Sequence, residues 1–334
     1  MLATALIQFT LASATIVLAG IALTKCSDRL GEMLGLGRAL AGIILMAAAT
    51  SLPELSVAVS AVRKGLPDLA VGGLLGSNLL NLLVLGVIDV LSKTRGRMFS
   101  RLSGSHTLSG GVGISLMAMV GLAMASDYGG TLFNLGWGSW GILGGYLLAI
   151  RLVYYDQVHL LRLKGKKASK KPWRSWPKKQ FYGNVAGYLC AAGVIFLAAP
   201  YLAEGAHQIV IATGLKESFV GTTFVALATS LPELVTTGAA LKFGSVDMAV
   251  GNIFGSNSFN LVILGISDGF YGASLLEVAS PSHLITCFGT IFITSIVIMG
   301  QVYHAEKRIA LIEPDALLVI LLVVGTLMMV YQAG

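Results

Sequence analysis

Along the chain, apolar residues gather into ten long runs separated by short polar stretches. The runs cover roughly residues 4–25, 38–62, 67–91, 106–125, 134–154, 181–203, 217–241, 246–270, 283–302 and 314–332. Each is close to the ~20 residues that a helix needs to cross ~30 Å of hydrocarbon. Hydrocarbon offers no partner to a backbone N–H or C=O, so a spanning run of this kind defaults to α-helix. The pattern predicts an all-α integral membrane protein with ten transmembrane helices. The first run carries no basic residue before Lys25. It lacks the positive start of a secretory signal and is read as the first transmembrane helix.

Composition agrees with the pattern. Of 334 residues, 55% are hydrophobic and 12% charged, where a soluble domain carries about 25% charged residues. The mean hydropathy is +0.80. The net charge of +7 is not a nucleic-acid signal, because the basic residues lie in short loops between apolar runs. With the N- and C-termini outside, 20 of the 23 lysines and arginines face the cytoplasm, and only Arg63, Lys64 and Lys216 do not. That asymmetry is the positive-inside bias. It predicts a multi-pass protein of the inner (plasma) membrane, in contact with lipid. Cys26, Cys190 and Cys287 lie in or beside apolar runs without metal or disulfide spacing and read as packing residues.

One hydrophilic stretch, Leu163–Lys179, is a basic cytoplasmic linker. It divides the chain into residues 1–160, 161–180 and 181–334, with five runs on either side. With Gly42 placed on Gly221, Gly42–Asp89 aligns with Gly221–Asp268 without a gap, with 23 identities in 48 positions. The best match is Ala49-Thr-Ser-Leu-Pro-Glu-Leu55 against Ala228-Thr-Ser-Leu-Pro-Glu-Leu234. A second is Gly76-Ser77-Asn78 with Asn81 against Gly255-Ser256-Asn257 with Asn260. Apolar bias alone yields matched Leu and Ala, not matched Pro, Glu, Ser and Asn. Five runs per half is an odd number, so the second half enters the membrane from the opposite side. The halves form two inverted five-helix repeats, the plan of many secondary transporters with sites near the midplane.

Glu54 and Glu233 sit inside apolar runs with no Lys or Arg at matching depth. A carboxylate there needs a partner or a function, and a bound cation supplies both. A protonated Glu in a helix-packing hydrogen bond is the plainer alternative, but it would have to occur twice in one sequence context. Thr50, Ser51 and Ala47 lie within one or two turns of Glu54. Pro53 and Pro232 lack an N–H and break the helix, freeing carbonyls near Ala49 and Ala228. Ser77 with Asn81, and Ser256 with Asn260, lie four apart on one helical face. The set is all oxygen and suits Na⁺ or Ca²⁺, not zinc or copper. Asn78 and Asn257 read equally well as ligands or as helix-packing residues. Asp68 and Asp247 precede spans and read as N-caps; Asp89 and Asp268 repeat without an assigned role. No nucleophile, phosphate-loop or metalloprotease motif is present, so the reading is not an enzyme and needs no cofactor.

At these residues the chain resembles the cation/calcium antiporter superfamily, in particular its prokaryotic sodium/calcium exchangers. The resemblance implies ten helices in two inverted halves, with broken helices around the alpha-repeat motifs. It implies Glu54 and Glu233 as central calcium ligands assisted by Thr50 and Thr229. Ser51, Ser77, Ser230, Ser256, Asn81 and Asn260 would complete the sodium sites, with carbonyls of Ala47 and Ala226 at the outer ones. It further implies alternating-access exchange of Na⁺ for Ca²⁺, electrogenic at three to one and running toward calcium extrusion. The chain departs from the family pattern at Ala49 and Ala228, where glycine is usual, and at Asn260, where some members carry Asp. Proton coupling is the alternative to sodium. A channel is disfavoured because the site is complete within one chain, so a monomer suffices for transport.

Overall fold

The computed structural model describes residues 2–91, 106–126, 130–163, 177–213, 226–227, 229–303 and 314–333. The centre of the basic linker, the basic stretch 92–105 and the first part of the expected seventh run lie outside them. Where they fall in the described residues, the expected runs are mainly helical. They are α1 (Leu2–Leu34), then α2 (Gly37–Leu40), a π-helical turn (Ala41–Met46) and α3 (Ala47–Thr50) in one rod, α4 (Leu52–Arg63), α5 (Pro67–Leu91) and α6 (Thr107–Ala125). A two-stranded antiparallel hairpin, β1 (Thr131–Leu132) and β2 (Leu135–Gly136), follows. Then come α7 (Trp137–Leu163), α8 (Lys178–Thr213), α9 (Leu231–Lys242), α10 (Val246–Asp268), the short α11 (Leu275–Val278), α12 (His283–Tyr303) and α13 (Pro314–Ala333).

Among the described residues, seven helices are individually long and apolar enough to cross a membrane, and the bent α2–α4 rod makes an eighth. The protein is a multi-pass membrane protein, and its surface shows why. Leu11, Leu18, Leu122, Leu147, Phe288 and Met328 are exposed, while Glu54, Glu233 and six asparagines and serines of the repeats are buried. A chain with apolar side chains outside and carboxylates inside is matched to lipid, not water.

Helices α1 and α8 run longer than their apolar stretches of 4–25 and 181–203, with 33 and 36 residues. Hydropathy marks the part that belongs in hydrocarbon, but backbone hydrogen bonding carries the helix on through polar residues such as Ser27, Asp28 and Arg29. At about 1.5 Å per residue each exceeds the hydrocarbon thickness and must tilt or project from it. Pro200 sits inside α8. The three cysteines are free, but Cys190 faces outward on α8 and is not a packing residue.

The centre of the molecule is the crossing of α5 and α10 with the two broken elements. One apolar cluster joins Leu79, Leu82 and Leu85 of α5 to Met248, Ala249 and Ile253 of α10. A second joins Ala70, Val71, Leu74 and Leu75 of α5 to Leu261, Ile263 and Leu264 of α10. Along both helices these clusters flank a polar layer: Ser77, Asn78 and Asn81 on α5, and Ser256, Asn257 and Asn260 on α10. The two helices run through this layer at mid-length, so it is sealed by apolar side chains toward either end. Glycines bring backbones together there. A Cβ on Gly255 would lie 2.6 Å from the Ile43 carbonyl oxygen and 2.8 Å from Cβ of Ala47. Only a residue without a side chain permits that approach.

Candidate cation-binding site

The first repeat's motif breaks its helix as the proline predicts. Ser51, with φ −84° and ψ 3°, ends α3, and Pro53 stands in the first turn of α4. The axis bends by 41° between them. Ser230 repeats this geometry at φ −81° and ψ 1°, followed by Pro232 in the first turn of α9. Each glutamate therefore starts a new helix, facing the layer built by α5 and α10. Glu54 is 3% exposed and Glu233 0%.

Contacts around the two glutamates cross between the repeats. The Ser77 hydroxyl donates to Oε1 of Glu54 at 3.1 Å and also meets the Ser230 hydroxyl. Ser51, though close to Glu54 in sequence, reaches Oε1 of Glu233 at 3.5 Å. Thr50 meets Ser256 at 3.3 Å. Glu54 is thus held by a serine of its own repeat and Glu233 by a serine of the other. The two carboxylates lie within electrostatic reach of one another.

Four oxygens in this layer are buried and unpaired: Oε2 of Glu54, Oε2 of Glu233, Oδ1 of Asn81 and Oδ1 of Asn260. They form two pairs, each related by the same repeat alignment. Buried polar atoms in proteins ordinarily find hydrogen-bond partners, and buried carboxylates ordinarily find a cation or proton. Among the described residues, the Arg38–Asp28 ion pair and the His106–Asp247 and His283–Asp68 contacts do not involve these glutamates. An oxygen-rich, acidic, dehydrated layer of this kind is chemistry for a hard cation.

All twelve expected site residues fall in or beside this layer. The carbonyls of Ala47 and Ala226 are already engaged. Each accepts the amide of the residue four ahead, Ser51 at 3.0 Å and Ser230 at 2.9 Å. Each also accepts a threonine hydroxyl, Thr50 at 3.4 Å and Thr229 at 3.2 Å.

The reading of Asp68 and Asp247 as N-caps is corrected by the structure. Asp68 is the second residue of α5, and its Oδ1 accepts the Ser280 amide at 2.7 Å and faces Nε2 of His283 at 3.1 Å. Asp247 is the second residue of α10, whose cap position is Ser245, and it faces Nε2 of His106 at 3.6 Å. Both aspartates thus pair with a histidine beside the start of a helix in the opposite half. Capping preferences are local, and these partners are not. Asp268 gains a role: it accepts the amide of Gly136 at 2.6 Å and that of Leu275, tying the hairpin and α11 to the end of α10.

Sequence reasoning missed Asn252. Its amide donates to the hydroxyls of Thr236 and Thr237, both at 3.0 Å, just beyond Glu233. The repeat alignment held the signal, since the matching residue is Gly73.

The family described as sodium/calcium exchanger protein matches residues 4–165 and 183–331. CaxA of Alkalimonas amylolytica is 30% identical over 67% of this chain and 68% of its own. The sodium/calcium exchanger MaX1 of Methanosarcina acetivorans is 26% identical over 76% of this chain and 80% of its own. The fold is that of the sodium-calcium exchanger NCX_Mj, with a TM-score of 0.72 over 98% of this chain and 99% of that one at 18% identity.

Proposed function

This chain belongs to the sodium/calcium exchanger protein family, and we propose that it is a secondary active antiporter exchanging Na⁺ for Ca²⁺ by alternating access. The observation that carries this reading is the pair of buried glutamates, each with one unpaired oxygen, in one layer with the unpaired oxygens of Asn81 and Asn260. Two ionised carboxylates hold a charge of −2, which one Ca²⁺ neutralises. Sodium ions compete for the same oxygens, so the site holds calcium or sodium and not both sets together. Glu54 and Glu233 are the central ligands. The hydroxyls of Thr50, Thr229, Ser51, Ser230, Ser77 and Ser256 and the amides of Asn81 and Asn260 complete the shell. The carbonyls of Ala47 and Ala226 join when the threonine hydroxyls turn from them toward the ion.

One repeat alignment relates both the sequence motifs and the unpaired oxygens. That supports ten spans in two inverted repeats, and the distribution of lysines and arginines supports termini on the outside. In that frame the two apolar clusters are the seals between which access alternates. Exchange of three Na⁺ for one Ca²⁺ moves one net charge per cycle, worth ~2.3 kcal/mol per 100 mV, and an inward sodium gradient then drives calcium out.

Radioactive calcium uptake into proteoliposomes tests this reading. Vesicles loaded with sodium should accumulate calcium, and vesicles loaded with choline should not. Uptake should grow when a potassium-valinomycin potential favours the net charge movement. Uptake driven by a pH gradient with choline inside would replace sodium by protons as the coupling ion.

A further inference from the structure

The asparagines that sequence leaves undecided form a clasp at the crossing of α5 and α10. Nδ2 of Asn78 donates to the main-chain carbonyl of Asn257 at 3.1 Å. Nδ2 of Asn257 donates back to the main-chain carbonyl of Asn78 at 3.2 Å. Both side chains are buried. A main-chain carbonyl only accepts, so it determines which end of each carboxamide faces it. The nitrogen must point to the carbonyl, and Oδ1 must point away.

Those two oxygens each accept one further bond. Oδ1 of Asn257 accepts from Nδ2 of Asn81 at 2.9 Å. Oδ1 of Asn78 accepts from Nδ2 of Asn260, also at 2.9 Å. The second pair of amides is therefore fixed in turn. Their nitrogens face the clasp, and their oxygens are the buried, unpaired Oδ1 atoms of the polar layer.

A carboxamide differs from a carboxylate here. Flipped end for end, it offers an NH₂ group in place of an oxygen, and an NH₂ repels a cation. A neutral asparagine ligand thus needs something that forbids the flip. We infer that Asn78 and Asn257 are positioning residues that aim the amide oxygens of Asn81 and Asn260 at the transported cation. The wiring is crossed: Asn257 of the second repeat aims Asn81 of the first, and Asn78 of the first aims Asn260 of the second. The side-chain oxygens of Asn78 and Asn257 each already accept one bond, whereas those of Asn81 and Asn260 accept none and are the oxygens left for a cation. A clasp that served helix packing alone would hold α5 to α10 through the two main-chain bonds and would have no reason to couple to one ligand more than to the other. The inference rests on the cation reading of the site.

The test is a double-mutant cycle on calcium affinity, measured by isothermal titration calorimetry on the purified full chain. Asn257→Ala should weaken calcium binding about tenfold, the scale of one lost charge-facing hydrogen-bond arrangement. Asn81→Ala should do much the same. The double variant Asn81→Ala/Asn257→Ala should be no weaker than Asn81→Ala alone, because the clasp then has nothing to aim. Asn257→Ala combined with Asn260→Ala should show the product of the two single losses. The mirror cycle, Asn78→Ala with Asn260→Ala against Asn78→Ala with Asn81→Ala, should give the converse and serves if Asn257→Ala does not fold. In an Asn81→Asp background, whose carboxylate presents an oxygen in either orientation, Asn257→Ala should cost less than twofold. Equal coupling of Asn257 to Asn81 and Asn260, or a folded Asn257→Ala or Asn78→Ala protein with wild-type affinity, would overturn the inference. Wild-type protein that binds no cation would instead overturn the reading of the site.

Discussion

The two repeats bury the same carboxylate at the same depth, yet they surround it differently on the way to the surface. In the first repeat, Glu54 lines a crevice with Val57, Ala58, Leu69, Ala70, Gly73, Leu74 and Thr229. A Cβ added to Gly73 would meet nothing within 4 Å. In the second repeat the corresponding residues are Thr236, Thr237, Met248, Ala249, Asn252 and Ile253, all buried. The amide of Asn252 fills the place that Gly73 leaves open and ties the two threonine hydroxyls together. Helix α1 closes over the same place, with Thr24 reaching the Thr236 carbonyl at 3.5 Å. The central polar layer is thus built from the same residue types in both repeats while its flanks are not. Symmetry is demanded where both halves must bind one ion. On the proposed alternating access the flanks only have to open in turn, and they differ at Gly73 against Asn252.

Substitutions in the layer and its flanks probe that contrast, beginning with the largest effect. Glu54→Gln and Glu233→Gln should each lower sodium-dependent calcium uptake by more than about 100-fold, equivalent to more than ~2.7 kcal/mol. The losses should be of similar size, because each repeat supplies one of the two carboxylates. Next, Gly255→Ala should destabilise the protein by about 2–3 kcal/mol, an overpacking cost, because its Cβ would press on Ile43 and Ala47. Gly76→Ala should be nearly neutral, since the nearest neighbour, Cβ of Ala226, lies 3.7 Å away. Thermal unfolding in detergent separates these two. Asn252→Ala removes the amide donor from the buried hydroxyls of Thr236 and Thr237, although Thr236 keeps its bond to the Pro232 carbonyl, and should lower stability by about 1–2 kcal/mol, read as a lower melting temperature. Gly73→Asn installs the second repeat's side chain in the first repeat's crevice. It should slow calcium uptake a few-fold with little change in melting temperature, because the space is open. A Gly73→Asn protein with wild-type rates would show that the crevice is not the ion's route.

Much of this architecture was legible in the sequence because lipid makes polar residues conspicuous. A Glu or Asn inside an apolar run carries information that the same residue in a soluble helix does not. Pro53 foretold the break at Ser51, since a missing N–H is a local fact. The gapless alignment of Gly42–Asp89 on Gly221–Asp268 foretold which residues would be equivalent. Partners across the molecule were not legible. Ser51 is close to Glu54 in sequence but bonds to Glu233, and Asp68 looks like a cap but reaches His283. Spacing along one helix cannot report a neighbour brought by another. The π-helical turn at Ala41–Met46 has no sequence signature either; it lies where α10 packs closely on the first repeat.

The central claim is that both repeats contribute to one shared site. Calcium titration of the purified wild-type chain by calorimetry, repeated at rising sodium, tests it most directly. The account predicts one calcium per chain, an apparent affinity that falls steadily as sodium rises, and no detectable calcium binding in either Glu54→Gln or Glu233→Gln. Two independent calcium ions per chain, or a glutamine variant that keeps wild-type affinity, would contradict it.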